Sequence, residues 1–502
     1  MNMGSSVPIR GDRPRRAFIA AAGLGVAGFL FSPVWIAPAQ AQIVCVDGGG
    51  SSAGASAPNS GTACGGNAAA SGVYSSAYGY TSSAGGDQSS AFGSNSSAQG
   101  DQSSAYGSFS NASGIYSSAH GFNSSASGAF SSAYGVASTA SGPESTAAGY
   151  NSTASGDLSS AYGYGSTASG LNSSAYGAES LAGGEGSSAF GLLSSAGGDY
   201  ASAYGVSSSA SGVNASAFGH WSVASGANGA AYGVESLASG DNSSAYGVTS
   251  LAAGENSSAF GSNSTASGNA SVALGMMANA GADDAVALGA NANASAAGAM
   301  AMGANAAATG VNTIAIGVGA TATGSVAVGT GALAGSGGAA FGDFAVATGA
   351  DSTAIGPNSS ATASNSVAVG SGSVANQANT VSVGSAGNER RITNVAPGVA
   401  ATDAATVGQV QSAVAGIAGD ISGLRDETRG GIAATAALAP VVTPSAPGKT
   451  TVSVNTAIFQ GTLGLGIGFA HRFDSPNPVL VHGSYAYGGD QHVARLGLSV
   501  EF

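Results

Sequence analysis

A tripeptide returns every 14 residues along most of this chain. Ala77-Tyr78-Gly79 is followed by Ala91-Phe92-Gly93 and Ala105-Tyr106-Gly107, and the spacing holds to Ala315-Ile316-Gly317. It contracts to 12 and 13 residues at Ala327-Val328-Gly329 and Ala340-Phe341-Gly342. It returns to 14 for Ala354-Ile355-Gly356, Ala368-Val369-Gly370 and Ser382-Val383-Gly384. Each unit has a second half, such as Ser152-Thr153-Ala154-Ser155-Gly156. Two short stretches, each closed by glycine, make two strands and two tight turns, because glycine supplies the positive-φ positions such turns need. Fourteen residues are too few for a helix pair and suit one coil of a parallel β-solenoid. Successive coils then stack about 4.8 Å apart with their backbones paired.

Alternation along a strand decides which side chains share a face. In Ser75-Ser76-Ala77-Tyr78-Gly79, positions 76 and 78 point one way and 75, 77 and 79 the other. Up to about residue 261 the first face is mostly Ser plus Tyr or Phe. From 271 it is usually two aliphatics, as in Val272 with Leu274 and Val286 with Leu288. Small-plus-large replacing medium-plus-medium roughly conserves volume, as a packed layer requires, so the aromatic column is expected to be interior packing. His120 and Ala148 interrupt it and read as drift of the repeat.

Charge excludes several partners. Only 7% of the 502 residues are charged, against roughly 25% in an ordinary domain. All 11 Lys and Arg precede position 17 or follow position 389, so the repeats are acidic and have no cationic side chain. Nucleic-acid binding needs cations to neutralise phosphates, and none are present there. A mean hydropathy of +0.20 with regularly placed apolar residues argues against disorder.

At the N-terminus, Arg10, Arg13, Arg15 and Arg16 precede the apolar run from Ala17 to Phe31. Ala39-Gln40-Ala41 follows as a cleavage site, a signal-peptide pattern over residues 1–41. Arg15-Arg16 leaves a twin-arginine signal open beside an ordinary basic n-region. The two cysteines, Cys45 and Cys64, fall in the segment 42–69 just beyond. In an oxidising compartment they can bridge within a chain or between chains.

Composition changes at Glu389-Arg390-Arg391. After it, Val407, Val410, Val414, Ile417, Ile421 and Leu424 follow the 3-4 spacing of a heptad seam, with β-branched core positions that favour three strands over two. The last fifty residues alternate like membrane strands, at about 450–459, 461–473, 479–487 and 493–502, each near the roughly 9–11 residues that cross a bilayer. Four strands cannot close, and open edges are not viable in lipid, whereas three chains of four strands give twelve. Gly464, Gly466 and Gly468 then face the lumen and leave room for helices inside it.

The chain resembles the trimeric autotransporter adhesins, the YadA-like family. The residues that carry the likeness are the repeat Asn365-Ser366-Val367-Ala368-Val369-Gly370 with Ser373, the neck Arg391-Ile392-Thr393-Asn394-Val395-Ala396, and Thr402-Asp403-Ala404 followed by Gln409. The aromatic terminus Phe502 is similar to the C-terminal assembly signal of outer-membrane barrels. The resemblance implies an all-β-dominated chain with a trimeric left-handed parallel β-roll head over 70–388. A neck over 389–408, a coiled-coil stalk and pore helix over 409–438, and an anchor over 439–502 follow, three copies of the anchor forming a 12-stranded transmembrane β-barrel. It implies a homotrimer, insertion through the barrel-assembly machinery, and a surface-exposed head that binds extracellular matrix protein or host cells, with autoaggregation and biofilm formation. Ligand residues are not assigned by it, and Asn365, Val367, Val369 and Ser373 mark only the family-like repeat.

No cofactor, metal or catalytic constellation is expected. His120 and His220 sit in the repeats and His471, His482 and His492 in the anchor, none beside a nucleophile or a ligand set. Two other readings are a structural coat or biofilm fibre without a specific ligand, and a small outer-membrane channel with a passenger.

Overall fold

The computed structural model describes residues 43–45 and 54–502; the signal-peptide reading of 1–41 lies outside them. The chain divides into two units at Glu389 and Arg390, each with its own architecture.

The first unit is a parallel β-solenoid. Each coil has a three-residue strand, such as Ser160–Tyr162, and a two-residue strand, such as Thr167–Ala168. The longer strands stack into one 25-stranded sheet, and the shorter ones make a second ladder. Register is identical from coil to coil: Ser160, Ala161 and Tyr162 lie beside Ser174, Ala175 and Tyr176. The contracted spacing does not break it, since Ile314 pairs with Val326 and Val326 with Ala339.

Glycine is favoured where coils touch, although Ala282, Ala296 and Ala363 stand at the position of Gly156 in other coils. At Gly163, φ is +133°, and a Cβ there would lie 2.5 Å from the carbonyl oxygen of Gly177 in the next coil. At Gly156 it would lie 2.0 Å from the Gly170 oxygen. The turns also hold one left-handed residue per half-coil, such as Asn151 at +55° and Leu158 at +59°. Asparagine adopts that conformation far more readily than leucine does.

The interior corrects the expectation for the aromatic column. It is filled by alanines such as Ala161 and Ala175 and serines such as Ser159 and Ser166, all fully buried. Among the described residues the bulkiest fully buried side chain is Thr313. Two sheets joined by such short turns leave space for a methyl or hydroxymethyl group, so Tyr and Phe take the opposite face of the same strand and point outward. The stack also starts earlier than residue 70, because Thr62–Cys64 pairs in register with Ser76–Tyr78.

The second unit comprises the helix Val407–Ala437 and a four-stranded antiparallel sheet. Its strands are Thr450–Phe459, Thr462–Arg472, Val479–Gly488 and Gln491–Val500. The helix starts on a capping box: Gln409 N–H donates to Thr406 Oγ1, and Thr406 N–H donates to Gln409 Oε1. Its C-terminal part, with Gly430, Ala433, Ala434 and Ala437 buried, packs on the glycine-bearing face of the sheet. Among the described residues no helix is long and apolar enough to cross a membrane.

Candidate functional site

Outside its alanine core, the head presents one face of stacked rings. Tyr162, Tyr176, Phe190, Tyr204, Phe218, Tyr232, Tyr246 and Phe260 form an unbroken ladder, with centroids 4.7–4.9 Å apart and planes within 8°. Each such pair contributes about 0.5–1.5 kcal/mol beyond its area burial. A second run joins Tyr78, Phe92 and Tyr106 to Tyr134 through His120, whose ring stacks 4.8 Å from Tyr106 and 5.1 Å from Tyr134. His120 therefore continues the ladder, and burial pushes its pKa down, which favours the neutral ring. Ala148 does interrupt it, between Tyr134 and Tyr162. Most of the tyrosines remain about two-fifths exposed, Tyr134 at 45%, while Phe92, His120, Phe190, Phe218 and Tyr232 are more covered.

The opposite outward face is mixed: Thr139, Thr153 and Thr167 stand in register on successive short strands, and Leu181, Val223, Leu237 and Leu251 hold the same place further along. The turn edges carry bulkier side chains. Tyr116 and Phe130 stack at 4.8 Å on one edge, and Trp221 packs against His220 on the other.

Cys45 and Cys64 lie opposite each other at the start of the stack and are bonded within the chain. They hold the place that Tyr78 occupies one coil later. Of the family-like repeat, Val367 and Val369 point outward. Ser373 lies inside, donating to the Val369 oxygen, and Asn365 sits in a turn, donating to Asn379 Oδ1. These four side chains therefore lie on different sides of the coil.

In the neck, Asp403 Oδ2 accepts from the N–H groups of Val399 and Ala400, both at 2.9 Å. These two bonds hold its carboxyl below the usual carboxylate range. Gln409 reaches back to Gly398, accepting from its N–H and donating to its oxygen. Thr402, Ala404, Arg391, Ile392, Thr393 and Asn394 are exposed in irregular chain. Gln409 organises this bend as much as Asp403 does; the Thr-x-x-Gln spacing at 406 and 409 was the available signal.

The seam Val407, Val410, Val414, Ile417, Ile421 and Leu424 forms an apolar stripe 53–73% exposed. In the sheet, Gly464, Gly466 and Gly468 face inward and are buried, while Leu463, Leu465 and Ile467 point outward and are half exposed. A Cβ at Gly464 would sit 2.2 Å from the Ala433 oxygen, and one at Gly466 1.9 Å from the Ala437 oxygen, so these glycines seat the helix. Arg495 donates to the Ala439 oxygen from the same side. The first and last strands each have a neighbour on one side only. Phe502 lies beyond the last strand, fully exposed. Among the described residues no three His, Cys, Asp or Glu come close enough to hold a metal.

Known proteins bear on both units. The family model described as YadA head domain repeat (2 copies) matches residues 84–110, 112–138, 133–157, 140–166, 154–180, 210–236, 252–276, 280–306, 308–332, 334–359 and 361–386. Without double counting these cover half of the chain. The model described as coiled stalk of trimeric autotransporter adhesin matches residues 391–433. No curated protein matches. Among solved structures, the collagen-binding domain of Yersinia adhesin YadA is 23% identical, over 48% of this chain and 86% of that one. The TM-score is 0.19, so the repeat and stalk matches carry the comparison.

Proposed function

The chain belongs to the trimeric autotransporter adhesins, and from that premise we propose that three copies assemble into one surface adhesin that is held in the outer membrane by its own C-terminal strands. The observation that carries this reading is the unsatisfied surface of the single second unit. Its heptad seam is bare, and its sheet ends in two strands that each leave one edge free, with an apolar outward face. Three chains bury the seam against itself, as β-branched core positions favour. They also join first strand to last around a closed wall of twelve strands, which removes every edge from lipid. The glycine column then faces three helices in the lumen. The aromatic and aliphatic ladder of each head turns toward its two partners, which accounts for a continuous apolar column along the long strands.

On this reading an N-terminal signal peptide delivers the chain to the periplasm, and the barrel-assembly machinery inserts the anchor. The head reaches the cell surface, where it attaches to extracellular matrix protein such as collagen, to host cells or to heads on other bacteria, giving autoaggregation and biofilm. Three heads per trimer and many trimers per cell convert weak contacts into avidity. The role is adhesive and non-enzymatic.

The test is expression on a non-adherent bacterium. Material extracted in mild detergent is expected to run as a trimer with intact β signal, and the cells to bind purified matrix proteins saturably. A folded lone subunit sinks the assembly. Self-agglutination without saturable binding to any matrix protein replaces the adhesin with a coat fibre.

A further inference from the structure

One turn edge of the head carries a feature that the ladder, neck and anchor leave unused. In five of the seven coils from residue 172 to 256 the left-handed turn position is Asn, as at Asn172, Asn214, Asn228 and Asn242, and Tyr74 and Tyr200 are single aromatics on the same edge. In two adjacent coils it is aromatic: Tyr116 at φ +57° and Phe130 at +58°. A bulky residue there is a backbone outlier that costs energy. Neither ring recovers that cost by burial, for Tyr116 is 46% and Phe130 58% exposed, and neighbouring Ile115 is 50% exposed. The rings are nevertheless ordered, stacked at 4.8 Å with planes 6° apart, and Gln102 Nε2 donates to the Tyr116 hydroxyl at 3.2 Å. Strain spent on holding flat apolar surface in water marks a contact surface.

The charges around it select the partner. The coil before the rings carries Asp101 and the coil after them carries Glu144; Tyr116 N–H bonds to the Asp101 backbone oxygen and Glu144 N–H to that of Ala129. No Lys or Arg lies anywhere between Gln42 and Asn388 to neutralise either. Asp101 and Glu144 are three coil steps apart, about 14 Å. An extended chain rises about 3.3 Å per residue, so four residues span that distance, and residues i, i+2 and i+4 share a face.

We propose that Ile115, Tyr116 and Phe130, framed by Asp101 and Glu144, form a docking surface for an extended basic segment of an extracellular protein. Its recognition pattern is basic–x–aromatic–x–basic, laid along the coil stack. The central ring packs on Tyr116 and Phe130, and the flanking cations meet the two carboxylates, with cation–π attraction to the exposed rings adding to the contact. This inference deepens the adhesin reading and rests on it for the partner's being outside the cell.

The probe is a fluorescent peptide carrying Lys-x-Phe-x-Lys with Thr at x, titrated against the full-length chain in mild detergent. Saturable binding is expected, weakening as salt rises. Tyr116→Asn with Phe130→Asn places at both turns the residue that other coils already use, so the fold is kept; it is expected to weaken binding about tenfold or more, as loss of a central aromatic anchor does. Asp101→Asn with Glu144→Gln is expected to weaken binding and flatten its salt dependence. A Glu-x-Phe-x-Glu peptide is expected not to bind. Equal binding by the wild-type chain and either double variant overturns the inference, as does equal binding of the acidic peptide. Adhesion of displaying cells to matrix proteins is scored in parallel. Cells that adhere while the peptide fails to discriminate overturn this inference alone; peptide recognition with no adhesion overturns the adhesin reading alone.

Discussion

Serine has two distinct roles in the coil interior, and they predict opposite responses to the same substitution. One column donates its hydroxyl three residues back, as Ser166 does to the Gly163 oxygen at 3.1 Å. In the other, Ser75, Ser131 and Ser271 donate in the same way, but Ser159, Ser173 and Ser187 are fully buried with no hydrogen-bond partner for Oγ. A buried hydroxyl without a partner carries a desolvation cost, whereas a satisfied one contributes. Ser173→Ala is therefore expected to stabilise its coil by about 1 kcal/mol, and Ser166→Ala to destabilise its own by about the same amount. Amide hydrogen exchange in the affected coil measures both, and protection falling in Ser173→Ala would refute the assignment. Ala201 and Ala215 already occupy the Ser173 position two and three coils on, fully buried. The two-faced alternation of each strand was legible in the sequence, but which face lies inside was not. Periodicity gives a face without a sign, and the sign came from the narrow gap between two sheets closed by short turns. The left-handed turn positions were equally hidden, because a tyrosine in that slot looks like any other variable residue.

Strands and helix in the second unit were the most legible elements. The four anchor strands match the alternating segments to within two residues, and the helix begins at Val407. Alternation is readable here because in Thr462–Arg472 the outward face is Leu, Ile and Phe and the inward face glycine and alanine. The strands of the head are only three and two residues long, since glycine turns take up part of every stretch. The seat of the helix is the element with the least tolerance. With Gly466 lying 1.9 Å from the Ala437 oxygen by the position of a Cβ, Gly466→Val cannot be accommodated without displacing the helix from the sheet. Cells carrying Gly466→Val are expected to lose protease-accessible head while normal display persists in a Val454→Ile control, whose side chain points outward and is 72% exposed. Equal display in the two strains would show that the glycine column does not seat the helix.

For the molecule as a whole, the head is a one-dimensional solid in which each coil touches only the coils before and after it. Stability is then close to a sum over coils and their junctions, and length is nearly free to vary. Removing residues 203–216, one full coil, is expected to leave the β signal and surface display intact, because Tyr204 and Phe218 hold equivalent places on adjacent coils. Removing only 203–209 sets a short strand against a long one and is expected to open the stack to protease at that point. Limited proteolysis of the two deletions separates them, and equal resistance would mean that register is not what joins the coils. The contraction to 12 and 13 residues near Ala327 and Ala340 shows the chain absorbing such changes only in its turns, with the strands still paired. Near-identical units in tandem also invite unequal crossing-over in the gene that encodes them. Because every in-phase gain or loss would add or remove one coil, about 4.8 Å, without disturbing the neck or anchor, a population of cells could tune how far its adhesin stands out by copy number alone.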